Sequence, residues 1–321
     1  MLGVSVPGVT AFAPATVSNV ACGFDVLGFA LDAPGDEVTA RLLPGAGRVV
    51  RIDDVTGDGG RVPRDPARNT AGVAAQTCLD ALGVRDGVAL TIRKGLPLSS
   101  GLGGSAASAA AAVVAIDALL NAHAPIETLI AWALEGERAV AGSAHADNIA
   151  PAICGGFVLV RQASPPDIVR LPIPVGLTAV VVHPNLEIET ASARAMLGDT
   201  VPLKDAIRQW ANLGALVDAL HRGDFALMTR ALEDVIAEPR RAALVPGLAA
   251  IKRAAIEAGA LGSGLSGSGP SIFALCSDPA IAPRVAEAMR TAARAAMGGE
   301  PRVYISPIAE RGARLISTCA S

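Results

Sequence analysis

A chain of 321 residues, 51% of them hydrophobic, has material for about two domains with a core each. A net charge of −3 and a pI of about 5.8, with Lys and Arg only in small scattered clusters, argue against a nucleic-acid footprint and a polybasic membrane patch. Aromatic residues make up 3%, with a single Tyr and two Trp, too few for base-stacking platforms, so a small-molecule partner is expected.

In chain order, the opening MLGVSVPGVTAF has neither the basic region nor the long apolar run of a signal peptide, and no stretch reaches ~18 uninterrupted apolar residues. A cytoplasmic protein is expected. VTAFAPAT and GFDVLGFAL read as strands, and DEVTARLL alternates outward polar with inward apolar residues. NTAGVAAQTCLDALG predicts a helix closed by Gly83, and GVALTIRK a further strand. PLSSGLGGSAAS, residues 97–108, is a bare loop that runs into a helix over about 105–122. A second helix, IETLIAWALEGERAVAG, starts after Pro125.

DNIAPAICGG leads to the strand FVLVR, and the proline-rich QASPPDIVRLPIPVG suits a domain junction. The expected domains are therefore residues 1–165 and 166–321. The second half predicts strands at LTAVVVHP, SIFALC and RVYIS. Its helices are expected at KDAIRQWANLGALVDALH, DFALMTRALEDVIA, VPGLAAIKRAAIEAG and IAPRVAEAMRTAARAAM. This pattern gives two α+β domains, each a sheet covered by helices. The five cysteines, Cys22, Cys78, Cys154, Cys276 and Cys319, are widely spaced and form no CxxC, and the four histidines show no ligand spacing. Free buried thiols are expected, without a disulfide or a cysteine metal site.

The loop at 97–108 carries the chemistry. Glycines let backbone N–H groups approach a ligand, and the helix that follows directs its unpaired N–H groups and positive dipole end at the same place, a combination suited to phosphate. The tiny side chains of SAASAAAA leave room for a triphosphate. The competing reading is tight packing of a small-residue helix against a sheet. No Lys follows the glycines, so the loop is not a GxxxxGK[ST] phosphate loop. A GxGxxG pattern does occur at Gly262, Gly264 and Gly267, but between a helix and a strand, the reverse of the dinucleotide-binding context.

Three segments in order, APATVSNVACGFDVLGFAL, PLSSGLGGSAAS and GALGSGLSGSGPSIFAL, resemble the three motifs of the small-molecule kinase superfamily of galactokinase, homoserine kinase, mevalonate kinase and phosphomevalonate kinase (GHMP). The resemblance spans nearly the whole chain. The first segment, together with AHADNIAP, is most similar to the homoserine kinase branch. It implies an N-terminal domain like domain 2 of ribosomal protein S5, a C-terminal ferredoxin-like domain, and an active site between them. The implied reaction is ATP-dependent phosphorylation of the side-chain hydroxyl of L-homoserine, on the route to threonine, with Mg²⁺ as cofactor. The implied assembly is a homodimer.

Residue roles follow from the same resemblance. Pro97, Leu98, Ser99, Ser100, Gly101, Leu102, Gly103, Gly104, Ser105, Ala106 and Ala107 correspond to the ATP-binding segment, and Asn69 to a position near adenine. On bare sequence Asn69 reads as a helix N-cap. Ser105 and Glu137 correspond to the Mg²⁺ site, an oxygen-ligand set that suits this ion. Asn19, Asp25, His145, Asp147 and Asn148 correspond to polar positions around the amino acid, and Arg194 and Arg241 to a carboxylate clamp, with Arg240 as rival to Arg241. Asn148 corresponds to the residue that orients the hydroxyl, and Asp147 is the rival as base.

The first motif more often reads TSANLGPGFD, so Val17, Ser18, Ala21 and Cys22 depart from it while Asn19, Gly23, Phe24 and Asp25 are kept; in the loop Gly104 replaces a serine. The rival functions are another kinase of this superfamily, acting on mevalonate or a sugar, and a non-catalytic nucleotide-binding regulator.

Overall fold

A computed structural model of the protein describes residues 8–142 and 144–319. Residues 1–7, on which part of the signal-peptide expectation falls, and the Cys319 side chain lie outside the described residues. In chain order the first part forms β1 (Gly8–Ser18), β2 (Leu27–Leu43), β3 (Val50–Thr56), α1 (Thr70–Ala81), β4 (Gly87–Arg93), α2 (Gly104–Leu119), α3 (Ile126–Ala141), α4 (Ala146–Cys154), β5 (Phe157–Ala163) and β6 (Pro166–Leu171). The remainder forms β7 (Thr178–His183), α5 (Thr190–Ala195), α6 (Leu203–Arg222), α7 (Phe225–Ala231), α8 (Ala237–Arg241) and α9 (Leu248–Glu257). After these come β8 (Gly262–Leu265), β9 (Ile272–Cys276), α10 (Ala282–Met297), β10 (Arg302–Pro307) and β11 (Arg314–Cys319).

Two sheets organise these elements. One runs β11-β1-β2-β4-β3, with β5 also paired to β2 and β6 to β5; among the described residues only β3 and β4 pair in parallel. The other is antiparallel in the order β10-β7-β9-β8. With its β-α-β-β-α-β succession this is the ferredoxin-like arrangement expected for the second domain. GFDVLGFAL and DEVTARLL, expected as separate strands, join in the single β2 because the chain stays extended past Gly35. A Cβ there would lie 2.3 Å from the Ala13 carbonyl oxygen of β1.

The boundary expected between residues 165 and 166 falls inside the β5–β6 hairpin. Pro165 and Pro166 occupy the turn and start of an edge strand, where a missing N–H costs nothing. The hairpin keeps residues up to Leu171 in the first sheet, and β11 returns to that sheet from the far end of the chain.

The central helix α2 is apolar nearly all round, with Ala106 to Ala112 at most 4% exposed. Its alanines allow α1, α3 and the sheet to approach closely. All six residues of β7 are buried because both faces of the second sheet are covered. Ala179, Val181, Phe273 and Leu275 face a core continuous with the first sheet, while Val180, Val182, Ile272 and Ala274 face α9 and α10. The ring of Phe29 in β2 lies tilted against that of Phe157 in β5, centroids 4.7 Å apart, and meets Phe273 of β9 edge-on at 6.2 Å. The Phe29–Phe273 contact thus joins the two sheets. Cys22, Cys78, Cys154 and Cys276 are buried free thiols.

Candidate functional site

A cleft of about 380 Å³ opens where the loop before α2 meets the turn after β1, the start of α4, and the arginines of α5 and α8. It is lined by Asn19, Asp25, Asn69, Pro97, Leu98, Ser99, Ser100, Gly101, Gly103, Gly104, Ser105, Ala106, Glu137, His145, Asp147, Asn148, Arg194 and Arg241. Leu102 and Ala107, expected with them, do not line it. Their side chains are wholly buried in the main core, and the Leu102 carbonyl accepts the Thr16 N–H at 3.1 Å.

The bareness of the loop has two distinct causes. Gly103 caps α2 with φ +66°, and a Cβ there would meet Thr16 Oγ1 at 2.1 Å and Asn148 Oδ1 at 2.8 Å. Gly101 has φ +76° and passes within 2.4 Å of the Ser266 carbonyl oxygen by the same measure. The third glycine-rich segment is thus a brace. Ser266 Oγ donates to the Gly101 carbonyl at 2.7 Å, and the Gly267 N–H to the Ser18 carbonyl at 3.2 Å. Gly262 and Gly264 lie in β8 of a hairpin, so the GxGxxG match there opens no helix.

Beneath the loop lies a buried ion pair. The Lys94 ammonium contacts the Asp36 carboxylate and donates to the Gly104 carbonyl at 2.6 Å and to Ser108 Oγ at 2.8 Å. Asp36, wholly buried, also accepts the Gly95 and Leu96 N–H groups at 2.9 and 3.2 Å. These bonds tie the strand ends to the first turns of α2 and fix where its free N–H groups point.

Asn69 is a helix N-cap: its side-chain oxygen accepts from the Ala71 and Gly72 N–H groups, and Nδ2 donates to the Pro63 carbonyl at 2.8 Å. Pro63 also lines the cleft.

Glu137, on α3, is 2% exposed. Its Oε2 pairs with His145 Nδ1 at 3.0 Å, while Oε1 is buried without a hydrogen-bond partner. That bond raises the His145 pKa against the opposing effect of burial. A buried carboxylate oxygen with unused capacity, in the same cleft as the Ser105 side chain, fits a small hard cation. Among the described residues no three His, Cys, Asp or Glu converge on a metal position. A carboxylate oxygen and a hydroxyl are hard oxygen donors, which suit Mg²⁺ beside phosphate and water oxygens.

The turn after β1 is strained: Asn19, Val20, Ala21 and Asp25 all have positive φ. Asn19 Oδ1 accepts the Asp25 N–H at 3.0 Å, and its Nδ2 donates to the Gly267 carbonyl at 2.7 Å. Asp147, 3% exposed, is pushed up to about 7 by burial and then by the nearby Asp25 charge; His145 and the Asn19 N–H partly offset this. Asn148 is held on both sides, its Oδ1 accepting from Thr16 Oγ1 at 2.7 Å and its Nδ2 donating to Ser18 Oγ at 3.0 Å.

Arg241 is 4% exposed, and its Nε and Nη1 donate to the Ala193 and Gly267 carbonyls, each at 3.2 Å. Burial pushes its pKa down. Arg194 pairs with Asp25. The rival Arg240 turns to the Thr200 carbonyl instead.

The comparisons with known proteins bear on this geometry. Residues 69–156 match the family described as GHMP kinases N terminal domain, and residues 216–295 match GHMP kinases C terminal. A homoserine kinase of Chlorobium phaeobacteroides (strain BS1) is 48% identical over 96% of this chain and 99% of its own. One of Chlorobaculum tepidum is 46% identical over 97% and 98%. The chain belongs to the homoserine kinase family of GHMP kinases. The crystal structure of homoserine kinase from Cytophaga hutchinsonii superposes with a TM-score of 0.93 at 45% identity, covering 98% of this chain and 99% of that one. As a GHMP kinase the chain is an ATP-dependent phosphotransferase acting on a hydroxyl group, and it has the two-domain fold of that family. Among the described residues no helix is long and apolar enough to cross a membrane.

Several residues of this kinase cleft escaped the sequence reading. Lys94 ends the predicted strand GVALTIRK, next to the loop, but its partner Asp36 is 58 positions away. Asp36 shares the inward phase of Val38 and Ala40, which was the available signal. Thr16 and Ser18 sit in a recognised motif with no sequence cue to their contact with Asn148. Of the departures from the family pattern, Ser18 acquires that contact. Gly104 has room to spare, a Cβ there meeting nothing nearer than Leu96 at 3.6 Å.

Proposed function

We propose that this chain is a homoserine kinase whose cleft aligns the L-homoserine hydroxyl with the γ-phosphate of ATP. The observation that carries the reading is that one cleft holds an acidic pair, Asp25 and Asp147, a cationic pair, Arg194 and Arg241, and the open N-terminus of α2. An amino acid presents an ammonium and a carboxylate on one carbon, and a nucleotide presents phosphates. The two charge pairs suit the first, and the helix end suits the second.

In this reading the free backbone N–H groups at the start of α2 and the dipole of that helix hold the phosphates, and the ribose and adenine lie toward Pro63 and Asn69. Ser105 and Glu137 hold Mg²⁺, which when bound neutralises charge on the phosphate oxygens. Asn19, Asp25, His145 and Asp147 surround the ammonium side, and the two arginines take the carboxylate. The amide of Asn148, locked between Thr16 and Ser18, orients the hydroxyl. The hydroxyl oxygen then forms a bond to the γ-phosphorus in line with the breaking bond to ADP, and its proton passes to a γ-phosphate oxygen. Alignment and charge neutralisation supply the acceleration without a protein base. A cytoplasmic setting and a homodimer belong to the same proposal.

A coupled ADP-release assay with Mg-ATP tests it, using L-homoserine, D-homoserine, L-serine, L-threonine and mevalonate. Selective turnover of L-homoserine is expected. A preference for mevalonate, or no response to any alcohol, would overturn the substrate.

A further inference from the structure

Both arginines of the cleft share one aromatic neighbour. The guanidinium carbons of Arg194 and Arg241 lie over the ring of Phe24, at 5.4 and 5.2 Å from its centroid. They come from different elements, α5 and α8. Like charges brought together repel. The negative face of an aromatic ring attracts each cation and offsets part of that repulsion.

The backbone around Phe24 leaves the ring little freedom. On one side Gly23 is packed so closely that a Cβ would lie 2.2 Å from the Leu27 Cβ. On the other, Asp25 is held at φ +58° by the bond from its N–H to Asn19 Oδ1. Arg241 is fixed through its Nε and Nη1. Arg194 is the more exposed of the two, and besides lying over the ring it pairs with Asp25. If an incoming carboxylate draws Arg194 from Asp25, the ring is what keeps that guanidinium beside its neighbour.

We propose that Phe24 is a positioning residue for the carboxylate clamp: its ring holds the guanidiniums of Arg194 and Arg241 side by side, so that a substrate carboxylate meets two cations already in register. This rests on the reading of Arg194 and Arg241 as the carboxylate site. Phe24 itself is not among the residues lining the cleft. It acts through the arginines and touches no reacting atom.

The test uses the full-length protein with Mg-ATP, and first requires the wild type to phosphorylate L-homoserine; failure there removes the substrate reading, not the role of the ring. Phe24→Leu is expected to raise the L-homoserine KM about tenfold with kcat within about twofold, and Phe24→Tyr to restore the KM. With 3-aminopropan-1-ol, which keeps the hydroxyl and ammonium but lacks the carboxylate, wild type and Phe24→Leu should have equal KM values. A near-isosteric series of fluorinated phenylalanines at position 24 covers the case in which Phe24→Leu does not fold. The L-homoserine KM should climb with each fluorine, as the ring face loses negative potential. A flat fluorine series, or an equal KM increase for both substrates, would overturn the proposal.

Discussion

Asp147 and Asn148 are neighbours on α4 with different constraints. Asn148 has its amide satisfied on both sides, whereas Asp147 is a buried carboxyl close to a second acidic residue. Burial and Asp25 raise its folded pKa to about 7, above the ~3.9 of an unfolded chain. Between these values the folded form binds the extra proton, so stability falls as pH rises through that window, by at most about 1.4 kcal/mol per pH unit. Asp147→Asn should flatten that part of the Tm profile measured between about pH 4 and pH 7. An unchanged slope would show that Asp147 is already ionised in the free protein. The polar identities at this scale were open to sequence reading because they fall in motifs. Their partners were not, since Thr16 and Ser18 lie 132 and 130 residues from Asn148.

At the scale of elements, the loop and α2 form a unit whose glycines are not equivalent. Gly103→Ala forces a side chain at a positive φ into Thr16 and Asn148, and should lower Tm and reduce kcat at least tenfold. Gly104→Ser, which restores the residue more common in the family, has space and should change stability by no more than about 0.5 kcal/mol. Thermal melts and steady-state kinetics on the pair check both; equal damage at the two positions would contradict the packing account. Periodicity and glycine placement made α1, α2, α3, α6 and α10 legible with their ends within a few residues. It did not reveal α4, whose Pro151 reads as a breaker yet sits inside the helix. It also missed β8, a four-residue strand of GSGL with no strand-forming pattern.

At the scale of the whole molecule, the two sheets share one core, with Phe29 of the first meeting Phe273 of the second, and β11 returns to the first sheet after the second is complete. The halves should therefore unfold together. Calorimetry is expected to show one transition, and Phe273→Ala to destabilise the whole by about 3–5 kcal/mol; two separated transitions would refute a shared core. A sequence can place two α+β units, but a returning terminal strand is a long-range pairing that no local pattern encodes, as the boundary inside the β5–β6 hairpin also shows. Across all of these contacts the cleft is expected to transfer the γ-phosphate of ATP to the hydroxyl of L-homoserine. Following the wild-type protein with Mg-ATP and L-homoserine by phosphorus NMR tests this transfer most directly. A phosphomonoester signal of O-phospho-L-homoserine should grow in step with ADP, whereas ADP with inorganic phosphate and no monoester would contradict it.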